Sequence, residues 1–207
     1  MISEVITHLN AIISGMPYFT NVYGLTELKA KPNRQDQVIC PVYFDGTKYV
    51  QIEPNHIGTT YWRELSSTSI NEGESFGSCD IEFDVNHSFR LFCMTRRSEF
   101  PNDDAYSAHR LAATMIKALS LRGGSLMRSI NARNLKIIPS LYSVDSRQLL
   151  STEFSGLNLS DFKFWDIILA LDFDIFIKTR QSCMTDVCDY TPSFCLQLET
   201  KIALPDA

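Results

Sequence analysis

Two sets of carboxylates are spaced as if they shared a surface. Asp172 and Asp174 lie two residues apart in the run FKFWDIILALDFDIFIKTR, where every odd position from Ile167 to Ile177 is apolar. Asp80, Glu82 and Asp84 repeat the pattern against Cys79, Ile81, Phe83 and Val85. A period of two belongs to a strand and gathers each acidic set on one sheet face. Carboxylates sharing a face can ligate a divalent cation or divide the work of acid and base. A solvated sheet face produces the same pattern more often, and no nucleophile signature accompanies either set.

The histidines are scattered. By local pattern His56 falls in a loop, His87 in a turn and His109 on a helix, without an HExxH or other close pair, while His8 borders the polar side of an N-terminal helix. Cys183, Cys188 and Cys195 are separated by four and six residues, so the CxxC knuckle that supplies half of a tetrahedral zinc site is missing. Asp186 or Asp189 would have to complete such a set, and unpaired thiols are the simpler reading. These residues call for no cofactor and no metal. Arg96 and Arg97, with Arg128 and Arg133 further on, can face a phosphate backbone or an acidic surface of a neighbouring subunit. Aromatic residues are not interleaved with them as in a single-strand platform, which favours an intersubunit ion pair or a solvated rim.

The elements that position these groups follow from periodicity. Ile2, Val5, Ile6, Leu9, Ile12 and Ile13 recur at helical spacing, with Gly15 as a stop. A connecting stretch with Lys29, Lys31 and Arg34 leads to QVICPVYFDGTKYVQIEP, where Asp45-Gly46 between two β-rich runs marks a hairpin. Pro41 within the first run points to an edge strand or a bulge. Residues 55–71 read as an exposed loop in which Trp62 anchors to the body or to a partner. SCDIEFDVNHSFRLFCMT is read as a hairpin turning at Asn86-His87, with one long strand as the alternative.

A second helix follows, capped by Asp103 or Asp104 and carrying Ala108, Leu111, Ala112, Met115, Ile116 and Leu119, with Gly123-Gly124 as its terminator. A strand interrupted at Pro139 and a short helix within 145–154 precede the long strand that holds Asp172 and Asp174. The sum is an α+β fold, a mostly antiparallel sheet with two main helices packed on it. Residues 1–181 would form the domain, and 182–207 a C-terminal extension or arm with a possible last strand at Phe194, Leu196 and Leu198.

The chain has 207 residues, 44% hydrophobic and 21% charged, which is ordinary globular composition. A formal charge of −5 argues against a generally basic nucleic-acid surface, though not against a channel through which DNA slides without being held. The N-terminus lacks a cluster of positive charge and does not read as a signal peptide, and no apolar run approaches the length of a membrane span. Export is therefore not expected, and disulfides are not expected either.

In element order the chain resembles the small α+β proteins that build rings at the head-to-tail junction of tailed bacteriophages, the tail-terminator and neck group, including those of crAss-like phages. The stretches that carry the resemblance are ISEVITHLNAI, DGTKYVQIE, DDAYSAHRLAATMIKAL and FWDIILALDFDIFIKTR. It implies a non-enzymatic virion protein in a sixfold or twelvefold homo-oligomeric ring, stacked on other neck, portal or tail proteins, with DNA passing through without sequence-specific binding and no membrane contact. Candidate subunit contacts are Trp62, Ile168 and Phe176, the last two on the mixed face of the long strand with Ala170, together with Arg96 and Arg97. Two other classes fit the same residues: an adaptor that binds a peptide on an open sheet edge, and a small hydrolase-like enzyme using His56 or His109 with a nearby carboxylate.

Overall fold

The computed structural model describes residues 2–30, 39–52, 58–65, 69–76, 80–99, 106–122, 125–130, 132–144, 147–155 and 167–182. The N-terminal apolar stripe forms α1 (Ile2–Ser14), which buries Val5, Ile6, Leu9 and Ile13. It closes where the Gly15 N–H donates to the Ile12 carbonyl at 3.2 Å. Strand β1 (Asn21–Ala30) follows and pairs antiparallel with β2 (Ile39–Phe44), which pairs in turn with β3 (Tyr49–Gln51).

The hairpin expected at Asp45-Gly46 is present. Its loop holds four residues between the paired Phe44 and Tyr49, with Gly46 at φ +101°. Asp45 Oδ1 accepts from the Thr47 and Lys48 N–H groups at 2.9 and 2.8 Å and from the Thr47 hydroxyl at 2.7 Å, so its carboxyl is drawn down to about 2. Strand β3 pairs with Val42 to Phe44, and Pro41 just before them lacks an N–H but accepts from the Ile52 N–H at 3.0 Å through its carbonyl, so it stays on the outer side of β2 without a stranded donor.

Residues 59–64, taken from sequence as part of a loop, form strand β4 (Thr59–Glu64), parallel to β1 and central in the sheet. Gly58 opens it at φ +64°, where an added Cβ would lie 2.7 Å from the Tyr18 carbonyl oxygen. That close approach lets the Gly58 carbonyl accept from the N–H groups of Thr20 and Asn21. Strand β5 (Ser69–Phe76) continues in the same direction, and both β4 and β5 lie against one edge of β6 (Asp80–Thr95). The hairpin read at Asn86-His87 is corrected here: β6 is a single 16-residue strand, in unbroken antiparallel register with β9 (Ile167–Ser182) from Asp80↔Ser182 to Thr95↔Ile167.

On the far side of β9 lies β8 (Ala132–Val144), with register shifts at Arg133 and at Ser140, the second directly after Pro139 as the interrupted pattern implied. Two-residue β7 (Leu121–Arg122) finishes that side. The path β3-β2-β1-β4-β6-β9-β8-β7 plus β5 makes one sheet of nine described strands, antiparallel at every pairing except β1 with β4. The fold is α+β, as the sequence pattern indicated.

Helices α1 and α2 (Ser107–Leu119) lie on one face together with short α3 (Ser125–Ser129). Their apolar residues join the odd positions of β6 and β9, from Val85 to Cys93 and from Ile167 to Ile177, in the larger core. Tyr106 stands at the N-cap of α2 without a side-chain cap bond, and Asp103, Asp104, Gly123 and Gly124 lie outside the described residues. A smaller core forms on the opposite face, where Leu150 and Phe154, on and just after α4 (Arg147–Glu153), meet Tyr61, Phe92, Met94, Ile168 and Ala170. The alternating strand thus buries both its faces at one end and only one at the other.

Burial predicts an asymmetry along β9. Leu171→Ala removes a wholly buried side chain and should cost about 2–5 kcal/mol, whereas Phe176→Ser, five residues along on the uncovered face and already 38% exposed, should cost about 1 kcal/mol. Urea unfolding of the two variants checks this, and equal losses would contradict the assigned faces.

Candidate functional site on the open sheet face

The even positions of β6 and β9 make the second sheet face, and its character changes along the ladder. Under α4 it is apolar. Next comes a charged band in which Arg90 donates to Asp172 through Nε at 2.6 Å and through a terminal nitrogen at 2.8 Å, while the Ser88 hydroxyl donates to Asp174 at 2.6 Å. Arg63 stands directly opposite Arg90 on β4, donates to the Thr26 carbonyl at 3.1 Å and lies 3.7 Å from Glu153 of α4. Two guanidinium groups side by side are tolerable here because an acid flanks each of them.

Beyond this band the face opens into a depression of about 440 Å³ spanning β5, β6, β9 and β8. Cross-strand register places Asn86, Phe176 and Lys136 in one row, and Asn71, Asp84, Lys178 and Asn134 in the next. Phe176 is 38% exposed at the centre. Past the depression the face is ionic again. Glu82 accepts from Arg133 at 2.8 Å and pairs with Lys178 at 3.1 Å, and the bulge at Arg133 turns that side chain toward this face. The Lys178 bond, supported by Arg133, holds the Glu82 carboxyl below its ordinary range.

The carboxylates singled out by spacing therefore have structural partners: Glu82 with Arg133 and Lys178, Asp172 with Arg90, Asp174 with Ser88. Asp84 lines the depression. Among the described residues no group of three His, Cys, Asp or Glu is placed to hold a metal ion. His87, read as a turn residue, is buried in mid-strand with its ring stacked on Phe89 at 4.2 Å and Nε2 3.0 Å from Glu64. His109 is exposed on α2, edge-on to Tyr142. Cys40 and Cys93 are buried, and burial pushes the Cys93 thiol far up, which leaves it unreactive. His56, Lys31, Arg34, Cys79, Asp186, Asp189, Cys183, Cys188, Cys195, Phe194, Leu196 and Leu198 lie outside the described residues.

Of the expected subunit contacts, Trp62 and Ile168 contribute to the chain's own two cores and leave no surface for a neighbour in the folded chain. The Trp62 indole N–H donates to Asn10 Oδ1 at 2.8 Å, so the residue anchors to the body, onto α1. Phe176 is the one that the second face presents, while Arg96 and Arg97 stand half-buried where the chain leaves β6. Compared with known protein families and with curated proteins, the chain matches no family model and no curated sequence.

Glu153 gives the charged band a pH signature. Burial raises its carboxyl above the ordinary 4.5, and Arg63 and Arg90 only partly oppose this. The folded state thus holds this proton more tightly than the unfolded chain. Its contribution is fully present below about 4.5 and is lost as pH rises through the higher folded value. Glu153→Gln should therefore gain stability relative to the parent between pH 4 and pH 7, measured by urea unfolding at each pH. A variant that loses ground with rising pH would mean that the Arg63 pair outweighs desolvation.

Proposed function

We propose that this chain is a non-catalytic structural subunit that closes into a homo-oligomeric ring, as in the tail-terminator and neck proteins of tailed bacteriophages that its element order resembles. The observation that carries the reading is the open half of the second sheet face. The sheet of nine described strands has one face packed against α1, α2 and α3, while the other leaves Phe176 exposed in a depression lined by Asn86, Lys136, Asp84 and Ile138 among others. An aromatic side chain kept exposed in a concave surface of mixed polar and apolar lining suits a partner's surface better than water.

The acidic groups nearby support the same reading, because most are tied to arginine, lysine or serine and so stiffen the surface rather than offering a proton or a metal ligand. A chain of formal charge −5 would also let DNA pass through such a ring without retaining it. The protein would act in the virion, stacked on neck, portal or tail neighbours. Among the described residues no helix is long and apolar enough to cross a membrane.

The test is the native mass over a concentration series, with negatively stained images of the largest species. Closed rings of six or twelve copies are expected. A strict monomer at every concentration that solubility allows would overturn the proposal and give precedence to a peptide-binding adaptor.

A further inference from the structure

The chain also carries a projection whose chemistry matches the depression. At the tip of the β2–β3 hairpin, Phe44 and Tyr49 are 54% and 49% exposed, with ring centroids 5.3 Å apart. The tip is ordered in advance. Asp45 ties the loop through three hydrogen bonds, and the Lys29 ammonium, 3.4 Å from Glu27, lies over the Tyr49 ring. Two adjacent aromatic rings held in place and left exposed are the usual makings of an interface anchor, because little side-chain freedom remains to be lost on docking.

The two surfaces correspond in charge as well as in apolar character. Exposed Asp45 and Lys48 flank the tip rings; exposed Lys136 stands directly beside Phe176 on β8, and exposed Asp84 lies on β6 one row further along, opposite Lys178. A tip entering the depression can set Asp45 toward Lys136 and Lys48 toward Asp84 while its rings cover Phe176. Their positions in the sheet suit repetition. The tip belongs to β3 and β2 at one end of the strand order, and the depression spans β5, β6, β9 and β8 toward the other end. A contact between two different patches on identical chains is head-to-tail, and it closes into a ring when the rotation between neighbours divides a full turn.

We infer that the depression around Phe176 is the seat for the β2–β3 hairpin tip of a second copy of this chain, with Phe44 and Tyr49 as the anchoring residues. The inference rests on the ring reading above and names its interface. Both patches are exposed, so the variants that test it should fold.

The experiment compares native masses of the parent, a tip variant (Phe44→Ser with Tyr49→Ser), a seat variant (Phe176→Ser) and a second seat variant (Lys136→Glu), each checked for a cooperative melting transition above the assay temperature. The tip and Phe176 variants should be monomeric, or need at least about tenfold more protein for half assembly, and Lys136→Glu should weaken assembly in the same direction. Mixing the tip variant with the Phe176→Ser variant should restore one interface and give 1:1 pairs that grow no further, since each pair retains only one intact tip-seat contact. If the parent forms rings and all three variants form them equally well, the ring reading stands and this interface is overturned. Monomeric variants whose mixture yields no pairs would also overturn it, and a parent that never assembles would remove both proposals together.

Discussion

The structure depends on one pairing, the antiparallel ladder between β6 and β9. All sixteen residues of each strand are in register without a bulge. Most of the other elements are attached to this pair directly: β4 and β5 share the second edge of β6, β8 covers the second edge of β9, and α1 and α2 lie on the odd-numbered face, while β1, β2 and β3 join through β4. A shift of one residue would send Ile167, Leu169, Leu171, Phe173, Ile175 and Ile177 to the other face and bring Asp172 and Asp174 into the larger core. The hydrophobic row therefore excludes odd shifts, and the Arg90–Asp172 and Ser88–Asp174 bonds across the ladder select among the even ones. The bulges fall instead on the flanking strands, at Arg133 and Ser140 of β8 and within β1 and β5, where they bend the sheet without breaking its centre.

Along this ladder the second face passes from an apolar patch under α4 to a charged band and then to an open depression. The Arg90–Asp172 pair stands at the transition. Two fork-like hydrogen bonds at 2.6 and 2.8 Å satisfy groups only partly in contact with water. Such a pair adds little net stability over an apolar pair, but removing one partner leaves a charge stranded, at a cost of about 3–5 kcal/mol. Its effect is to prevent the apolar patch from continuing across the face.

Much of this was legible in the sequence because periodicity reports burial directly. The 3.6-residue stripes of α1 and α2 and the period-two rows of β6 and β9 each have one consistently buried side, and the Asp45-Gly46 turn has chemistry of its own. Strand β4 was missed for the complementary reason. Tyr61 and Trp62 are consecutive and both wholly buried, one in each core, so a central strand with two apolar faces shows no alternation to detect. Its β-branched and aromatic composition, TTYW, was the remaining signal.

The hairpin reading at Asn86-His87 fails on a point that the sequence did contain. A two-residue turn there would set Val85 against Ser88 and Asp84 against Phe89, mixing polar with apolar on each face. The odd positions from Ile81 to Cys93 are apolar except for His87, and keeping that row on one face requires a single strand. The depression was harder to see, because it is assembled from Asn71, Asn86, Lys136 and Phe176 on four strands brought together by register. No local spacing encodes that meeting. The fold could thus be read from local pattern, while the surface that carries the functional proposal needed the pairing itself.

The most direct test of this account is amide hydrogen exchange along β9, residue by residue. If the ladder is one cooperative unit, Leu169 and Leu171, at the end where both faces of β9 are covered, and Ile175 and Ile177, at the end that carries the depression, should open with a common free energy equal to that of global unfolding. If Ile175 and Ile177 instead exchange through a separate opening of much lower free energy, the continuous ladder is not what holds the open face in shape, and the structural basis proposed for that surface is wrong.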